Sequence, residues 1–231
     1  MRGVFVTGTD TEVGKTVVAC TIAATLAARG ERVATFKPAV TGLTEPGAEL
    51  PDHELLRRSA GSPQAAEAVS PYRFGPAVSP HLAAELAGIE IAPGHLVAGA
   101  EGAAANADVL VVEGVGGLLV PLCGDYLVRD FAAELAVPLV VAARPGLGTI
   151  NHTLMTIECA RAAGLDVAAV VFTPWRRFPR TIERSNRRAI EALAGVETFG
   201  LPVREIADGV GALRTLPVEH WIGQVGIVPG F

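Results

Sequence analysis

Residues 4–16 read Val4-Phe5-Val6-Thr7-Gly8-Thr9-Asp10-Thr11-Glu12-Val13-Gly14-Lys15-Thr16. The run Val4–Thr7 is apolar and rich in β-branched residues, as expected of a strand covered on both faces. A glycine-bearing loop follows, and Gly14-Lys15-Thr16 then opens an apolar helix, about Lys15 to Arg29. Strand, glycine loop and Gly-Lys-Thr at a helix start make a phosphate cradle, because unpaired backbone N–H groups and the helix dipole both attract anionic oxygens. In such a loop Lys15 reaches the outer phosphates and the Thr16 hydroxyl can ligate Mg²⁺. The first glycine, Gly8, stands one position earlier than the standard spacing of this motif.

Working outward, short apolar runs recur at Val33–Phe36, Val109–Val112, Leu139–Ala142 and Val167–Phe172, separated by longer alanine-rich stretches at helical spacing. This alternation predicts an α/β fold: a single doubly wound, mostly parallel sheet with helices on both faces, built like a P-loop NTPase. The first helix is apolar nearly all round, so a loop or a partner subunit must cover it. Thr41–Pro93 reads as an elaborated connection with two short helices, Asp52–Ala60 and Pro80–Gly88, and long ordered connections are often functional. An arginine-rich helix, Arg180–Leu193, reads as a solvated face. With no repeat or linker, residues 1–231 are expected to form one domain.

Of 231 residues, 50% are hydrophobic and 19% charged, enough apolar material for a sizeable core. The formal net charge of −5 argues against a nucleic-acid partner, which demands a basic face. No apolar run is long enough to span a bilayer, and the early Gly8 and Asp10 do not suit a signal peptide. Cys20, Cys123 and Cys159 are widely spaced in apolar surroundings and read as reduced core thiols of a cytoplasmic protein. Arginine supplies all but two of the 19 basic residues; the lysines are Lys15 and Lys37. A compact ammonium binds phosphate as a point charge and responds to its surroundings, which a guanidinium does less readily.

The second lysine sits where such a role is possible. Lys37 directly follows the second core strand, and ligands in doubly wound sheets gather at the carboxyl ends of strands. By the same rule Glu113, ending the third core strand before Gly114-Val115-Gly116-Gly117, is placed for a Mg²⁺ contact. A fourth feature, Gly146-Leu147-Gly148-Thr149-Ile150-Asn151-His152, joins a strand to a helix, with Thr149 as the expected N-cap. Its free N–H donors could hold a carboxylate or simply start an ordinary helix. His152 reads as structural.

Together the segments 6–16, Lys37-Pro38-Ala39-Val40-Thr41-Gly42, Ser79-Pro80-His81, Val112–Gly117 and Leu147–His152 resemble the dethiobiotin synthetase family, in its order and approximate spacing. The early glycine is itself a feature of that family. The resemblance implies a cyclo-ligase of biotin biosynthesis. CO₂ adds to one amine of 7,8-diaminopelargonate, the γ-phosphoryl group converts the carbamate to a carbamic–phosphoric anhydride, and the second amine closes a cyclic urea. It implies Lys37, Lys15 and Thr11 as catalytic residues and Thr16, Asp52 and Glu113 as Mg²⁺ ligands, with Glu54 as a possible substitute for Asp52. The nucleotide-binding set it implies is Glu12, Val13, Gly14, Lys15, Thr16, Val17, Glu113, Gly114, Val115, Gly116, Thr173 and Pro202. The resemblance further implies that Thr41 faces the substrate and that Gly148, Thr149, Ile150 and Asn151 hold its carboxylate from the neighbouring subunit of a homodimer, with the active site at the subunit interface.

Where many members carry an adenine-reading asparagine, this chain has Thr173, followed by Pro174-Trp175. A hydroxyl lacks the paired donor and acceptor of a carboxamide, so the co-substrate is expected to be ATP or another nucleoside triphosphate. The alternative within the fold is a regulatory ATPase of the partitioning or nitrogenase-iron-protein type. Those carry a signature lysine where Asp10 stands, and the iron protein also needs cluster cysteines. A related amide-forming synthetase of cobalamin synthesis would need a glutaminase domain for which this length leaves no room. A nucleotide-binding module without turnover has no use for two metal-ligand positions and a second placed lysine.

Overall fold

The computed structural model describes residues 1–45, 50–202 and 216–224. In chain order the elements are β1 (Arg2–Gly8), α1 (Lys15–Ala28), β2 (Val33–Phe36), β3 (Ala39–Val40), α2 (Asp52–Ser59), α3 (Ala66–Val69) and β4 (Tyr72–Arg73). Then come α4 (Pro80–Ala87), α5 (Pro93–Ala104), β5 (Val109–Glu113), β6 (Pro121–Cys123), β7 (Tyr126–Leu127), α6 (Val128–Leu135) and β8 (Leu139–Ala143). The last are α7 (Thr149–Ala162), β9 (Val167–Phe172), α8 (Thr181–Ala194), β10 (Glu197–Gly200), a 3₁₀ turn at Val218–Trp221, and β11 (Gly223–Gln224).

Six strands lie side by side in the order β10-β9-β8-β1-β5-β2, all parallel, with β11 antiparallel against the start of β1. The apolar runs are strands because both faces are covered. Val4 and Val6 pack toward α1 with Val111, Val140 and Val171, while Phe5 points the other way into Phe36, Leu110, Phe131 and Phe172. The order reverses direction around β1 and β5, so the loops leaving these two strands open at the switch point where a doubly wound sheet binds its ligand.

Helix α1 is covered from within the chain rather than by a partner: α2 and the Val218–Trp221 turn pack on it, and Val18, Ala19, Cys20, Ile22, Ala23 and Leu26 are fully buried. All three cysteines are free; Cys20 is in the core, whereas Cys123 and Cys159 are only half-buried against it. Burial pushes the Cys20 thiol up to about 12. Helix α8 has a buried side as well as a solvated one. Asn186 is buried there and donates to the carbonyls of Pro145 and Gly146 at 3.1 and 2.9 Å, which anchors the β8–α7 loop. No helix among the described residues is long and apolar enough to cross a membrane.

One local expectation is overturned. Thr149 is not the N-cap of α7 but its first residue; Gly148 takes the cap position at φ 90°. Glycine adopts that left-handed conformation without the Cβ penalty that a threonine would meet. The Thr149 hydroxyl instead lies 3.2 Å from that of Thr153 inside the helix.

Candidate active site

Residues 9–14 wrap from β1 into α1. Gly14, at φ 89°, is the turn into the helix, and a Cβ there would lie 2.3 Å from the Thr173 Cγ2 methyl. Both the backbone conformation and the close approach therefore require glycine. The Asp10 carboxylate accepts the Thr11 N–H at 2.7 Å, and the Lys15 ammonium turns back to the Asp10 carbonyl at 2.8 Å. The loop is pre-shaped by its own side chains.

Lys37 leaves β2 at the carboxyl edge, its own N–H bonded to the Val69 carbonyl at 2.8 Å. Its ammonium, 4% exposed, donates to Asp52 Oδ2 at 2.7 Å and to Glu113 Oε1 at 2.6 Å. The Thr16 hydroxyl lies 3.1 Å from Asp52 Oδ1 and 2.9 Å from Glu113 Oε1. Four residues from four elements (α1, the β2 exit, α2 and β5) thus meet in one polar knot. Asp52 opens α2, where its charge also suits the helix N-terminus.

Burial alone would lower the Lys37 pKa, but the Glu113 and Asp52 carboxylates outweigh it and hold it above the ordinary lysine value. Burial, aided by Lys37, lowers that of Lys15 despite the opposing pull of Glu113 and Asp52. Burial pushes Glu113 up, with Lys37 and Thr16 pulling the other way. For Asp52, burial raises and Lys37 lowers, and the lysine prevails. The knot is therefore charged and nearly self-neutralised, and any anion that enters finds two ammonium groups.

A cavity of about 600 Å³ opens over this knot. Thr11, Glu12, Gly14, Lys15, Thr16, Val17, Lys37, Thr41, Asp52, Glu113, Val115 and Gly116 border it, so the loop, both lysines and the three oxygen-bearing residues face one space. The segment Ala77–Pro80 and residues Ala39 and Val120 complete the wall. Of the other residues that the sequence singles out, Val13 is buried beneath the loop, and Thr173 is buried with its methyl against Gly14. Gly114 packs against the Phe5 ring, while Pro202 follows β10 and is half-buried. None of these four borders the cavity. Neither do Gly148, Thr149, Ile150 and Asn151, which belong to the start of α7. Glu54 is turned away as well: its carboxylate accepts from Arg57 at 2.9 Å.

The donor set suits a small hard cation. Two carboxylates and a hydroxyl are the oxygen ligands that Mg²⁺ takes alongside phosphate. Glu113 Oε2 is buried without a hydrogen-bond partner, an unmet acceptor at the centre of the knot. Among the described residues no group of three or more His, Cys, Asp or Glu side chains gathers anywhere, so the oxygen set here needs Thr16 as a member.

Arg144, which no sequence motif marks, touches the loop without bordering the cavity. It follows β8 and its Nη2 donates to the carbonyls of Thr11 and Glu12 at 3.3 and 3.2 Å. The sequence holds one signal for it, position: residue 144 closely follows the apolar run Leu139–Ala142, and residues just beyond a buried parallel strand stand at the ligand edge.

Known proteins resemble this chain in sequence and in shape. A family model described as an AAA domain matches residues 2–205. Solved structures of similar shape include a ParA family ATPase from Chlorobium tepidum (TM-score 0.57, 13% identity, 94% of this chain and 93% of that one). Another is the septum site-determining protein MinD from Pyrococcus horikoshii (TM-score 0.55, 16% identity, 95% and 88%). At that identity they establish the fold alone. Sequence relatives are nearer. A protein named ATP-dependent dethiobiotin synthetase BioD from Anaeromyxobacter dehalogenans is 46% identical over 74% of this chain and 76% of its own. Namesakes from Anaeromyxobacter sp. Fw109-5 (42%, 93% and 96%) and Bacillus cereus (40%, 87% and 83%) extend the match along nearly the whole length. With relatives of this identity matched over three quarters or more of their own length, the chain belongs to the ATP-dependent dethiobiotin synthetase family.

Proposed function

We propose that the cavity over Lys37 is where this ATP-dependent ligase of biotin synthesis joins CO₂ to the two amines of 7,8-diaminopelargonate. The observation that carries the reading is the buried Lys37 ammonium, held within 2.7 Å of both Asp52 and Glu113 beside the phosphate loop. The chemistry needs no protein nucleophile, since phosphoryl transfer is chiefly positioning and charge stabilisation. A carbamate oxygen attacks the γ-phosphorus and the nucleoside diphosphate leaves. The second amine then attacks the carbamoyl carbon, and phosphate departs with the former carbamate oxygen.

Each residue has a task in that sequence. The Lys15 ammonium, now on the Asp10 carbonyl, lies within the loop and is assigned to the outer phosphates. Lys37 remains protonated and offsets charge that builds between carbamate and phosphorus. Thr11 and Thr41 border the cavity and are assigned to the substrate. Thr16, Asp52 and Glu113 would hold Mg²⁺, which when bound neutralises phosphate oxygens.

The Gly148–Asn151 segment is assigned to the substrate carboxylate of a neighbouring subunit, in a homodimer. That none of its residues borders the cavity of its own chain supports this, as do the exposed apolar side chains Leu119, Leu147 and Met155. Leu119 and Met155 line one shallow cavity with His152, and apolar side chains grouped in this way mark contact surfaces.

Phosphate release tests the reading. Release is expected only when the diamine and bicarbonate are both present with nucleotide and Mg²⁺. Equal release without the diamine would instead indicate a regulatory ATPase, and no release under any condition a binding module. Because Thr173 replaces the carboxamide, ATP, CTP and GTP at equal subsaturating concentration are expected to give rates within about tenfold. A strong preference for ATP would contradict that part.

A further inference from the structure

We infer that Arg144 is a positioning residue for nucleotide binding, one that holds the phosphate loop from behind; the inference rests on the reading of residues 9–16 as a phosphate site. Three consecutive loop carbonyls are each taken by a cationic side chain. Lys15 donates to Asp10, and Arg144 Nη2 donates to both Thr11 and Glu12. Glu12 is at φ 55°, left-handed for a residue with a side chain, a conformation that persists only where its surroundings enforce it.

Peptide planes are rigid and trans, so fixing a carbonyl also fixes the N–H on the opposite side of its plane. Arg144 thereby sets the direction of the Glu12 and Val13 N–H groups, away from the guanidinium. The arginine is itself delivered accurately. Thr9 N–H bonds to the Ala142 carbonyl at 3.0 Å, which ties the loop to β8. Just beyond the arginine, Asn186 pins the carbonyls of Pro145 and Gly146. When Lys15 leaves Asp10 for a phosphate, Arg144 is the remaining side-chain hold on these carbonyls among the described residues.

Loop N–H groups contact phosphate in the ground state and the transition state alike, so losing their orientation weakens both equally. Arg144→Ala is therefore expected to raise the nucleotide KM, and the Kd of a fluorescent nucleotide measured without diamine, by about tenfold. kcat and the melting temperature should stay close to wild type. Arg144 and both of its bonds are solvent-exposed, so the ratio should narrow as salt rises. Unchanged Kd, or a fall in kcat alone, would overturn the assignment. Because the Kd measurement needs no diamine, it stands even if the wild-type chain forms no cyclic urea, which would fail the ligase reading alone.

Discussion

Replacing Lys37 with alanine should cost about 100- to 1000-fold in kcat while the chain stays folded. The size follows from removing one preorganised charge from a water-poor site, where it stabilises the transition state more than the ground state. The structure adds a consequence for stability. Lys37 is the cation that pairs Glu113, which is fully buried, and stripping one partner from a buried pair costs about 3–5 kcal/mol. Protonation of Glu113, already pushed up by burial, limits that cost, so a lower melting temperature with native circular dichroism is expected. Lys37→Gln keeps volume and a donor without the charge, and should lose turnover to a similar extent. Turnover within a few-fold of wild type in either variant would remove Lys37 from the chemistry.

Gly14→Ala should abolish measurable nucleotide binding. Two costs coincide there: a left-handed φ of 89° and a Cβ 2.3 Å from the Thr173 methyl. The first is of order 1–2 kcal/mol and the second, as overpacking, about 1–3 kcal/mol. Neither can be relieved without moving the loop that binds phosphate. Adding Thr173→Ser, which removes the offending methyl, should recover part of the affinity but not all of it, because the backbone cost remains. Full binding by Gly14→Ala alone, seen by equilibrium titration, would show that the loop does not grip the nucleotide as described.

The central strands were legible because each is a continuous apolar run. Val33–Phe36 and Val167–Phe172 match residue for residue, and the rest within a residue or two at each end. Lys37 and Glu113 were legible for a related reason, since a charged residue directly after a buried strand can only sit at the sheet's edge. Asp52 was not legible from the residues. Its place beside Lys37 depends on how the chain returns across the 43–51 stretch, and only the family resemblance pointed to it. Boundaries for α5 were hidden because Gly94, Gly99 and Gly102 blur its helical period; Gly99 is there for closeness, its Cβ position lying 3.1 Å from the Phe36 ring. Position alone hints at Arg144, while its bonds to the loop carbonyls and the true cap of α7 are decided by backbone geometry: a loop whose carbonyls face the residue after β8, and a left-handed Gly148.

The roles given to both lysines depend on one meeting, that of the triphosphate tail with a carbamate in the cavity between Lys15 and Lys37. Oxygen-18 transfer tests that meeting most directly. With labelled CO₂, unlabelled water and a quench within the first turnovers, the released phosphate should carry one oxygen-18 atom, seen by mass spectrometry or the phosphorus NMR shift. Phosphate without the label, formed at the same rate as cyclic urea, would mean that the carbamate never attacked phosphorus, and both assignments would be wrong.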